Sequence, residues 1–219
     1  MKKDTISEQR RQLVGLFGNA LDGFTENQYE EILKIGNFLQ TSLSNLINKY
    51  LYVDNLFGQP ICQFKLSVPL DYDNDTRIDH TIEKAKEEKS TLYCNTDFNS
   101  KNFIKSTNKL IPGKNYLVEF IPVLSQATNE DCFVFFEKRK VILVGGPGLA
   151  LVYDFKKNDF PLNTYLFSFD KKDSLWKDAA GKLKVPSIRH HLNGGFSFRV
   201  DSFNGSLHNG DCLLCIYEQ

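Results

Sequence analysis

The sequence lacks an excess of charge of either sign, which limits the partners that electrostatics alone could attract. Lysine and arginine together number 27, the same as aspartate and glutamate, and no segment of the 219 residues is strongly basic. Nucleic-acid-binding domains concentrate positive charge on one face. The composition therefore makes nucleic acid an unfavourable partner, and the same holds for an anionic membrane surface.

Long hydrophobic runs are also missing. The longest, residues 141–153, contains three glycines and a proline, whereas a transmembrane helix needs about 20 consecutive apolar residues. The first residues, MKKDTISEQRRQ, hold no apolar stretch, so we expect no secretory signal and no membrane association. Five cysteines, an odd number, are typical of reduced thiols and predict a cytoplasmic protein.

Motifs with diagnostic catalytic spacing are absent too. Residues 145–148, Gly-Gly-Pro-Gly, follow an apolar stretch, but neither the Lys-Ser/Thr of a phosphate-binding loop nor the G-x-G-x-x-G pattern accompanies them. The chain has no G-x-S-x-G motif. We therefore predict no catalytic residues, no cofactor and no metal, and the sequence favours a protein that is not an enzyme.

Two cysteines near the C-terminus have the C-x-x-C spacing of metal and redox sites. Such sites need both sulfurs on one side of a turn or a helix start. Cys212 and Cys215 stand in an apolar stretch typical of a strand, where residues three apart point to opposite faces. We interpret the pair as part of a core strand, and a metal or redox pair is the alternative.

The candidate contact residues are the only tryptophan, Trp176, and the cluster Arg189-His190-His191. Aromatic and arginine side chains contribute most of the contact energy in protein interfaces. Adjacent histidines in a strand point in opposite directions, so one is expected to be buried and the other exposed. We predict a ligand or partner contact surface at these four residues, with a metal site as the alternative.

The first quarter of the chain predicts a helical hairpin over residues 5–52. Two capping-box patterns, beginning at Thr5 and Thr25, mark helix starts, and apolar residues follow each at helical spacing. The apolar face of such a hairpin packs either against the rest of the chain or against a second copy. A homodimer through these helices is therefore one of two interpretations.

Residues 127–170 hold the longest apolar run and organise the rest of the sequence. The Thr128-x-x-Asp131 pattern predicts a short helix over about residues 129–138. Residues 141–144, Val-Ile-Leu-Val, predict a strand buried on both faces. Residues 147–157 favour a helix that begins with a proline, although their alternation also fits a hairpin.

Short apolar stretches predict the remaining strands. They cover residues 61–68, 115–124, 165–169, 184–190, 195–203 and 212–217, and residues 193–195 indicate a hairpin turn. The predicted fold class is α+β: an N-terminal helical hairpin, then a mixed α/β domain with short, irregular, mainly antiparallel strands. We divide the chain into a helical region, residues 1–55, and an α+β domain, residues 56–219, with a C-terminal module from about residue 115 to 219.

Three segments carry a resemblance to known proteins: EDCFVFFEKRKVILVGGPGLALVYDF, SFDKKDSLWKDAAGKLKVPSI and CLLCIYE. They resemble a family of uncharacterised bacterial proteins with a helical front and a compact C-terminal module. The order of elements over roughly the last 90 residues is similar to the C-type-lectin-like fold of formylglycine-generating enzymes. The enzymes' Arg-Leu-Pro-Thr-Glu-Ala-Glu-Trp motif is replaced by Leu143-Val-Gly-Gly-Pro-Gly, and Cys212 and Cys215 lack the copper-site context. The resemblance thus implies a fold but neither catalysis nor copper.

The sequence leaves three hypotheses for function. The first is a non-catalytic binding or protein-interaction module, with a protein or a small molecule as its partner. The second is a metal- or thiol-dependent enzyme that uses the His190/His191 and Cys212/Cys215 region. The third is a structural or assembly component of the kind found in phages.

Overall fold

The computed structural model of the chain describes residues 52–219 and, before them, the single residue Thr41. The helical hairpin predicted for residues 5–52, and the homodimer that would use it, lie outside these residues apart from Thr41 and Tyr52. Residues 52–219 belong to one unit, Tyr50–Gln219. Within this part of the chain, no helix has the length and apolar character needed to cross a membrane.

A seven-stranded mixed sheet forms the centre of the described residues. Across the sheet the strands are ordered β1-β3-β9-β5-β6-β7-β2, and the neighbours are antiparallel except for the parallel pairs β5–β9 and β2–β7. A separate antiparallel pair is formed by β4 and β8. In chain order the strands are β1 (Cys62–Ser67), β2 (Thr91–Cys94), β3 (Asn115–Pro122), β4 (Ala127–Thr128), β5 (Thr164–Phe167), β6 (Lys184–His190), β7 (Phe196–Ser202), β8 (Ser206–Leu207) and β9 (Cys212–Glu218).

Helices pack on both faces of this sheet and produce two hydrophobic clusters. Helices α1 (Arg77–Glu87) and α3 (Gly145–Lys156) cover the first face, and α2 (Asn129–Arg139) packs on the second. Two short 3-10 helices, Lys157–Asp159 and Lys172–Ser174, flank β5. Strand β9 contributes to both clusters in alternation: Cys212, Leu214 and Ile216 join the first, and Leu213 and Cys215 join the second.

The predicted start of α2 is confirmed in detail. The Thr128 hydroxyl accepts a hydrogen bond from the Asp131 amide at 3.2 Å, and the Asp131 carboxylate accepts one from the Thr128 amide at 2.9 Å. This reciprocal box satisfies amides that the first turn of a helix leaves unpaired. The helix ends at Arg139, and the next residue, Lys140, has a left-handed backbone with φ of 56°. Local chemistry thus determines both ends of α2.

The Gly-Gly-Pro-Gly stretch begins α3, so the helix predicted for residues 147–157 is confirmed and the hairpin is wrong. Gly145 has a φ of +53°, and a Cβ on it would lie 1.9 Å from the Asp170 carboxylate. At Gly148 a Cβ would lie 2.1 Å from the Val144 side chain. The glycines at positions 145 and 148 are therefore required by close packing.

The predicted fold class was wrong. The expected set of short, irregular strands is instead one continuous sheet of seven strands, in which the two parallel pairings join strands far apart in the sequence. Residues 141–144 are not a strand, since Ile142 makes a single ladder-like bond, to the Ile216 carbonyl at 2.8 Å. Conversely β2 forms at residues 91–94, which are not among the predicted strands, because β7 offers it an open edge. Pairing between strands that are far apart in the sequence therefore determines which segments join the sheet.

Replacing Gly145 by alanine is expected to destabilise the fold strongly, by about 3 kcal/mol or more, because positive φ and a blocked Cβ position act together. Gly181 is a matched control, since its φ is +74° but no atom lies within 4 Å of the place that a Cβ would occupy. Gly181→Ala should cost about 1 kcal/mol, the backbone penalty alone. Urea unfolding of both variants measures the difference. Equal losses would show that the contact with Asp170 does not matter.

The buried carboxyl group of Asp170 makes stability depend on pH. Asp170 is 2% exposed, and its Oδ1 accepts bonds from the Thr107 amide at 2.6 Å and the Ser106 hydroxyl at 3.2 Å. Burial outweighs these bonds and raises the pKa of Asp170 to about 6. Between about pH 4 and 6 the folded state therefore binds more protons than the unfolded state, in which the pKa is about 3.9.

The stabilisation from protonated Asp170 should be complete below about pH 4 and lost as the pH rises through about 6. Asp170→Asn keeps the shape of the side chain but cannot titrate. The change in the free energy of unfolding between about pH 4.5 and 7 should therefore be smaller than in wild type by about 2 kcal/mol. Urea unfolding at both pH values, compared with wild type, measures the effect. Asp173→Asn, at an exposed position, is the control, and an unchanged pH slope in Asp170→Asn would contradict the assignment.

Candidate functional site

The polar part of the sheet lies on the second face of β5, β6 and β7. Helix α2 packs on this face over β3 and β9, where Ile121, Leu213 and Cys215 share a cluster with Phe135 and Phe136. On the neighbouring strands the alternation that buries one side chain turns the next one outward. The side chains presented there are Tyr165, Phe167, Val185, Ser187, Arg189, Ser197, Arg199 and Asp201.

Two guanidinium groups converge on the hydroxyl of Tyr165. Arg189 and Arg199 each donate a hydrogen bond from Nη1 to this oxygen at 3.1 Å. The centres of the two guanidinium groups lie 4.8 and 5.5 Å from the centroid of the tyrosine ring. The register explains the arrangement, because Arg189 pairs with Tyr165 across β5–β6 and Arg199 is one row away on β7. Three strands thus position one cationic cluster.

Two carboxylates lie near the cationic cluster: Asp201 beside Arg199, and Asp211, which interacts electrostatically with Arg189. Among the described residues, Arg189 has no carboxylate within 4.0 Å, and Arg199 has one, Asp201, which lies 4.0 Å from its Nε. Arg189 donates from Nη2 to the Asn163 side-chain oxygen at 2.6 Å, and its buried Nε has no hydrogen-bond partner. The Arg199 side chain is 43% exposed. The cluster is therefore partly neutralised by these carboxylates, and Arg199 lies within reach of solvent.

A cleft of about 320 Å³ opens beside Tyr165. Its lining includes the carboxylate of Asp201, which accepts a hydrogen bond from the Ser187 hydroxyl. Asp211 accepts one from the His208 amide at 2.8 Å, and burial raises the pKa of the Asp211 carboxyl group. The cleft is lined by Asn129, Tyr165, Phe167, Val185, Asp201, Ser202, Gly205, Ser206, Leu207, His208 and Asp211. It combines aromatic, aliphatic and charged surface.

The loop that closes one side of the cleft is held by Asn129, the first residue of α2. Its side-chain amide donates to the backbone carbonyls of Phe203 and Gly205. This side chain is buried and links the helix start to the turn between β7 and β8. The cleft is therefore built mainly on strands and on a fixed turn, which gives it a defined shape before any ligand arrives.

Of the predicted contact residues, Arg189 belongs to this site and His191 lies near it. The His191 Nε2 is 2.7 Å from the Ser197 hydroxyl oxygen. Partial burial lowers the pKa of His191, and the nearby positive charge of Arg189 lowers it further. Ser197 itself is 5% exposed. This histidine is therefore kept neutral beside the cationic cluster.

His190 lies on the opposite face of β6, in the first hydrophobic cluster. Its ring stacks on Phe196 with centroids 4.3 Å apart, and its Nδ1 lies 2.8 Å from the Phe160 carbonyl oxygen. A carbonyl only accepts, so the proton of the ring is on Nδ1. The two histidines do point in opposite directions, and His190 is a satisfied core residue that no ligand reaches from the polar face.

Trp176 is remote from the cationic cluster. Its carbonyl accepts a bond from the amide of Lys184, at the far end of β6 from His190, so about 20 Å separate the two residues along the strand. The indole is half-buried against Phe103, with centroids 6.1 Å apart. It lines a second cleft, of about 340 Å³, together with Lys105. The structure does not bring Trp176 and His190 together.

The C-x-x-C cysteines also lie on different sides of the sheet, as their spacing indicated. Cys212 belongs to the first hydrophobic cluster and Cys215 to the second. Burial raises the pKa of Cys212 to about 12 and that of Cys215 further. A thiol reacts and binds metal as the thiolate, so these surroundings suit neither role. In residues 52–219, no group of three or more His, Cys, Asp or Glu side chains could hold a metal ion.

Sequence reasoning missed Tyr165, Arg199, Asp201 and Asp211. A signal for two of them was present, because the turn at residues 193–195 joins β6 to β7 and fixes Ser187 opposite Arg199. Continuing that register places both Arg199 and Asp201 on the same face as Arg189. Nothing local places Tyr165 or Asp211 there, since β5 reaches β9 through a parallel pairing between distant segments.

Comparison of the chain with protein-family models, with curated proteins and with solved structures finds no match. The resemblance to the bacterial family and to the C-type-lectin-like fold therefore stays a prediction. Function has to be inferred from the cleft and the cationic cluster themselves.

The two histidines should respond differently to alanine substitution. His190→Ala removes a stacked, hydrogen-bonded core ring and is expected to cost about 2–3 kcal/mol. His191→Ala removes a half-buried ring and should cost below about 1 kcal/mol. Thermal and urea unfolding of both variants measure this. A similar loss in the two variants would contradict the assignment of His190 to the core.

Proposed function

We propose that this chain is a non-catalytic binding module whose contact surface is the cleft beside Tyr165. The observation that carries the proposal is the cleft itself, whose volume of about 320 Å³ lies at the lower end of the range for small-molecule sites. Aromatic and aliphatic lining from Phe167, Val185 and Leu207 gives a ligand apolar contact, and a few charged groups orient it. A small molecule fits this space better than a protein chain does.

The chemistry around the cleft favours binding over catalysis. The pair of groups nearest to a nucleophile and a base is Ser197 and His191, and the serine is too deeply buried for a substrate to reach. The Ser187 hydroxyl donates to Asp201 and is itself buried. The hydroxyl of Tyr165 already accepts from two guanidinium groups. Each group that could act as a nucleophile or a base is therefore already hydrogen-bonded to a neighbouring side chain.

We also propose a cytoplasmic location. All five cysteines are free, although Cys62 and Cys94 are only partly buried. Free, accessible thiols are typical of reducing compartments.

A fragment screen tests the proposed function. In two-dimensional NMR spectra of the full-length protein, bound fragments should shift the amides of Phe167, Val185 and Leu207. Ser206→Trp places an indole at the cleft and should weaken these fragments by about tenfold or more, because it occupies their volume. Ser174→Trp is the matched control, since Ser174 lines the second cleft beside Trp176.

Ser174→Trp should leave the affinities unchanged. Fragments that shift only the residues around Trp176, or equal affinities in wild type and Ser206→Trp, would contradict binding at the cleft beside Tyr165.

A further inference from the structure

We infer that the cleft beside Trp176 is a second binding site, which takes a phosphorylated aromatic compound of the nucleoside monophosphate class. The indole contacts the ring of this ligand, and lysine side chains bind its phosphate. The site shares no lining residue with the cleft beside Tyr165, so it is additional to the proposed function. Its lining combines the only tryptophan of the sequence with three lysines.

Two segments of the chain, residues 101–105 and residues 173–177, form the walls of this cleft. Hydrogen bonds near the ends of the segments join them to each other. The Lys171 amide donates to the Thr107 hydroxyl oxygen at 2.6 Å, and the Thr107 amide donates to the buried carboxyl group of Asp170. The cleft is therefore formed by the fold itself, and its volume of about 340 Å³ is within the range of small-molecule sites.

The indole of Trp176 offers a planar surface to a ligand. Its one aromatic contact among the described residues is with Phe103, and the side chain is only partly buried. The rest of the ring lines the cleft. Aromatic side chains placed in this way stack on nucleobases and on other planar rings. The apolar part of the ligand is therefore expected to be an aromatic ring rather than a flexible chain.

The charged groups of the cleft are mainly lysines. Lys101, Lys105 and Lys177 line it, and within residues 52–219 none of them has a carboxylate within 4.0 Å. The only carboxylate in the lining is that of Asp173. Three positive charges against one negative charge leave a surplus of two, so the cleft favours an anion.

The surplus of positive charge favours a phosphate over a carboxylate. A phosphate monoester carries a charge of about −1.5 to −2 at pH 7, which matches this surplus, whereas a carboxylate would balance only half of it. Lysine ammonium groups bind phosphate as point charges, and planar, bidentate recognition of a carboxylate is typical of arginine instead.

A long nucleic-acid strand fits the chain less well than a small ligand does. The lysine surplus is confined to one cleft, and the chain as a whole has equal numbers of positive and negative side chains. A strand that extended beyond the cleft would therefore lack the extended basic surface that nucleic-acid-binding proteins use.

Tryptophan fluorescence tests the site directly, because Trp176 is the only tryptophan and reports on this cleft alone. The full-length protein is titrated at pH 7 and low salt with adenosine 5′-monophosphate, adenosine and ribose 5-phosphate. The monophosphate should quench the fluorescence and bind about tenfold more tightly than adenosine, because only it pairs with the lysines. Ribose 5-phosphate should bind about tenfold more weakly than the monophosphate, since it has no ring to stack. High salt should remove the advantage over adenosine.

Variants assign the phosphate contact to the three lysines. Lys101→Gln, Lys105→Gln and Lys177→Gln should each reduce the affinity for the monophosphate by about threefold, and the triple variant should bind it no better than adenosine. The affinity for adenosine should not change. Lys65→Gln is the matched control, because Lys65 is an exposed residue of β1 that does not line the cleft. It should leave all three affinities unchanged.

Equal affinities for the monophosphate and adenosine would overturn the phosphate contact, and equal affinities for the monophosphate and ribose 5-phosphate would overturn the ring contact. A loss in Lys65→Gln as large as in the other lysine variants would show attraction to net charge alone. Much tighter binding of a single-stranded oligoadenylate than of the monophosphate would replace the small ligand by a nucleic acid. If no probe changes the fluorescence, the site is refuted, whereas fragment binding beside Tyr165 is unaffected, so the two proposals fail independently.

Discussion

The fold depends on the burial of both faces of its C-terminal strand. Strand β9 lies between β3 and β5 and is the connection through which β1–β3 joins β5–β6–β7–β2. Its seven-residue antiparallel ladder with β3 is long, whereas its parallel contact with β5 covers two residue pairs. Backbone hydrogen bonds thus hold β9 firmly to β3 but only weakly to β5. Side-chain packing on both faces of β9, from Cys212 to Ile216, must therefore stabilise the contact with β5.

The unequal covering of the two faces determines where the proposed ligand site lies. Helices α1 and α3 cover the first face, where even Phe198 and Ile188 on the outer strands are fully buried. Helix α2 reaches the second face mainly over β3 and β9, so the same outer strands present Arg189 and Arg199 there. The cleft lies at the border of these two regions, where apolar cluster and charged surface meet. Such a border supplies both apolar contact and orientation to a small molecule.

The carboxyl group of Asp170 and the guanidinium pair of Arg189 and Arg199 are accommodated in different ways in this fold. Asp170 is enclosed next to Gly145 and accepts bonds from a backbone amide and a hydroxyl, so its charge is internal to the structure. Arg189 and Arg199 share a neutral hydroxyl and keep donors unused. The hydrogen-bond partners of Asp170 named here all belong to the chain itself. In the guanidinium pair, the charge lies near the surface, where Arg199 meets Asp201 at 4.0 Å and is 43% exposed.

The sequence by itself determined the features that depend on near neighbours. The capping box at Thr128 set the start of α2, Pro147 favoured a helix after the glycines, and strand periodicity located β3, β6 and β9. Alternation along a strand also placed Cys212 and Cys215 on opposite faces, since that depends only on spacing.

Only the tertiary structure decided the order of strands, the exclusion of residues 141–144 from the sheet and the composition of the site. Tyr165, Arg189 and Arg199 come from three strands, and no local pattern specifies which strands become neighbours. Strand partners are chosen by the burial of whole faces against helices and other strands. That choice depends on contacts between segments far apart in the chain, such as β2 with β7 and β3 with β9, and periodicity within a segment contains no information about it.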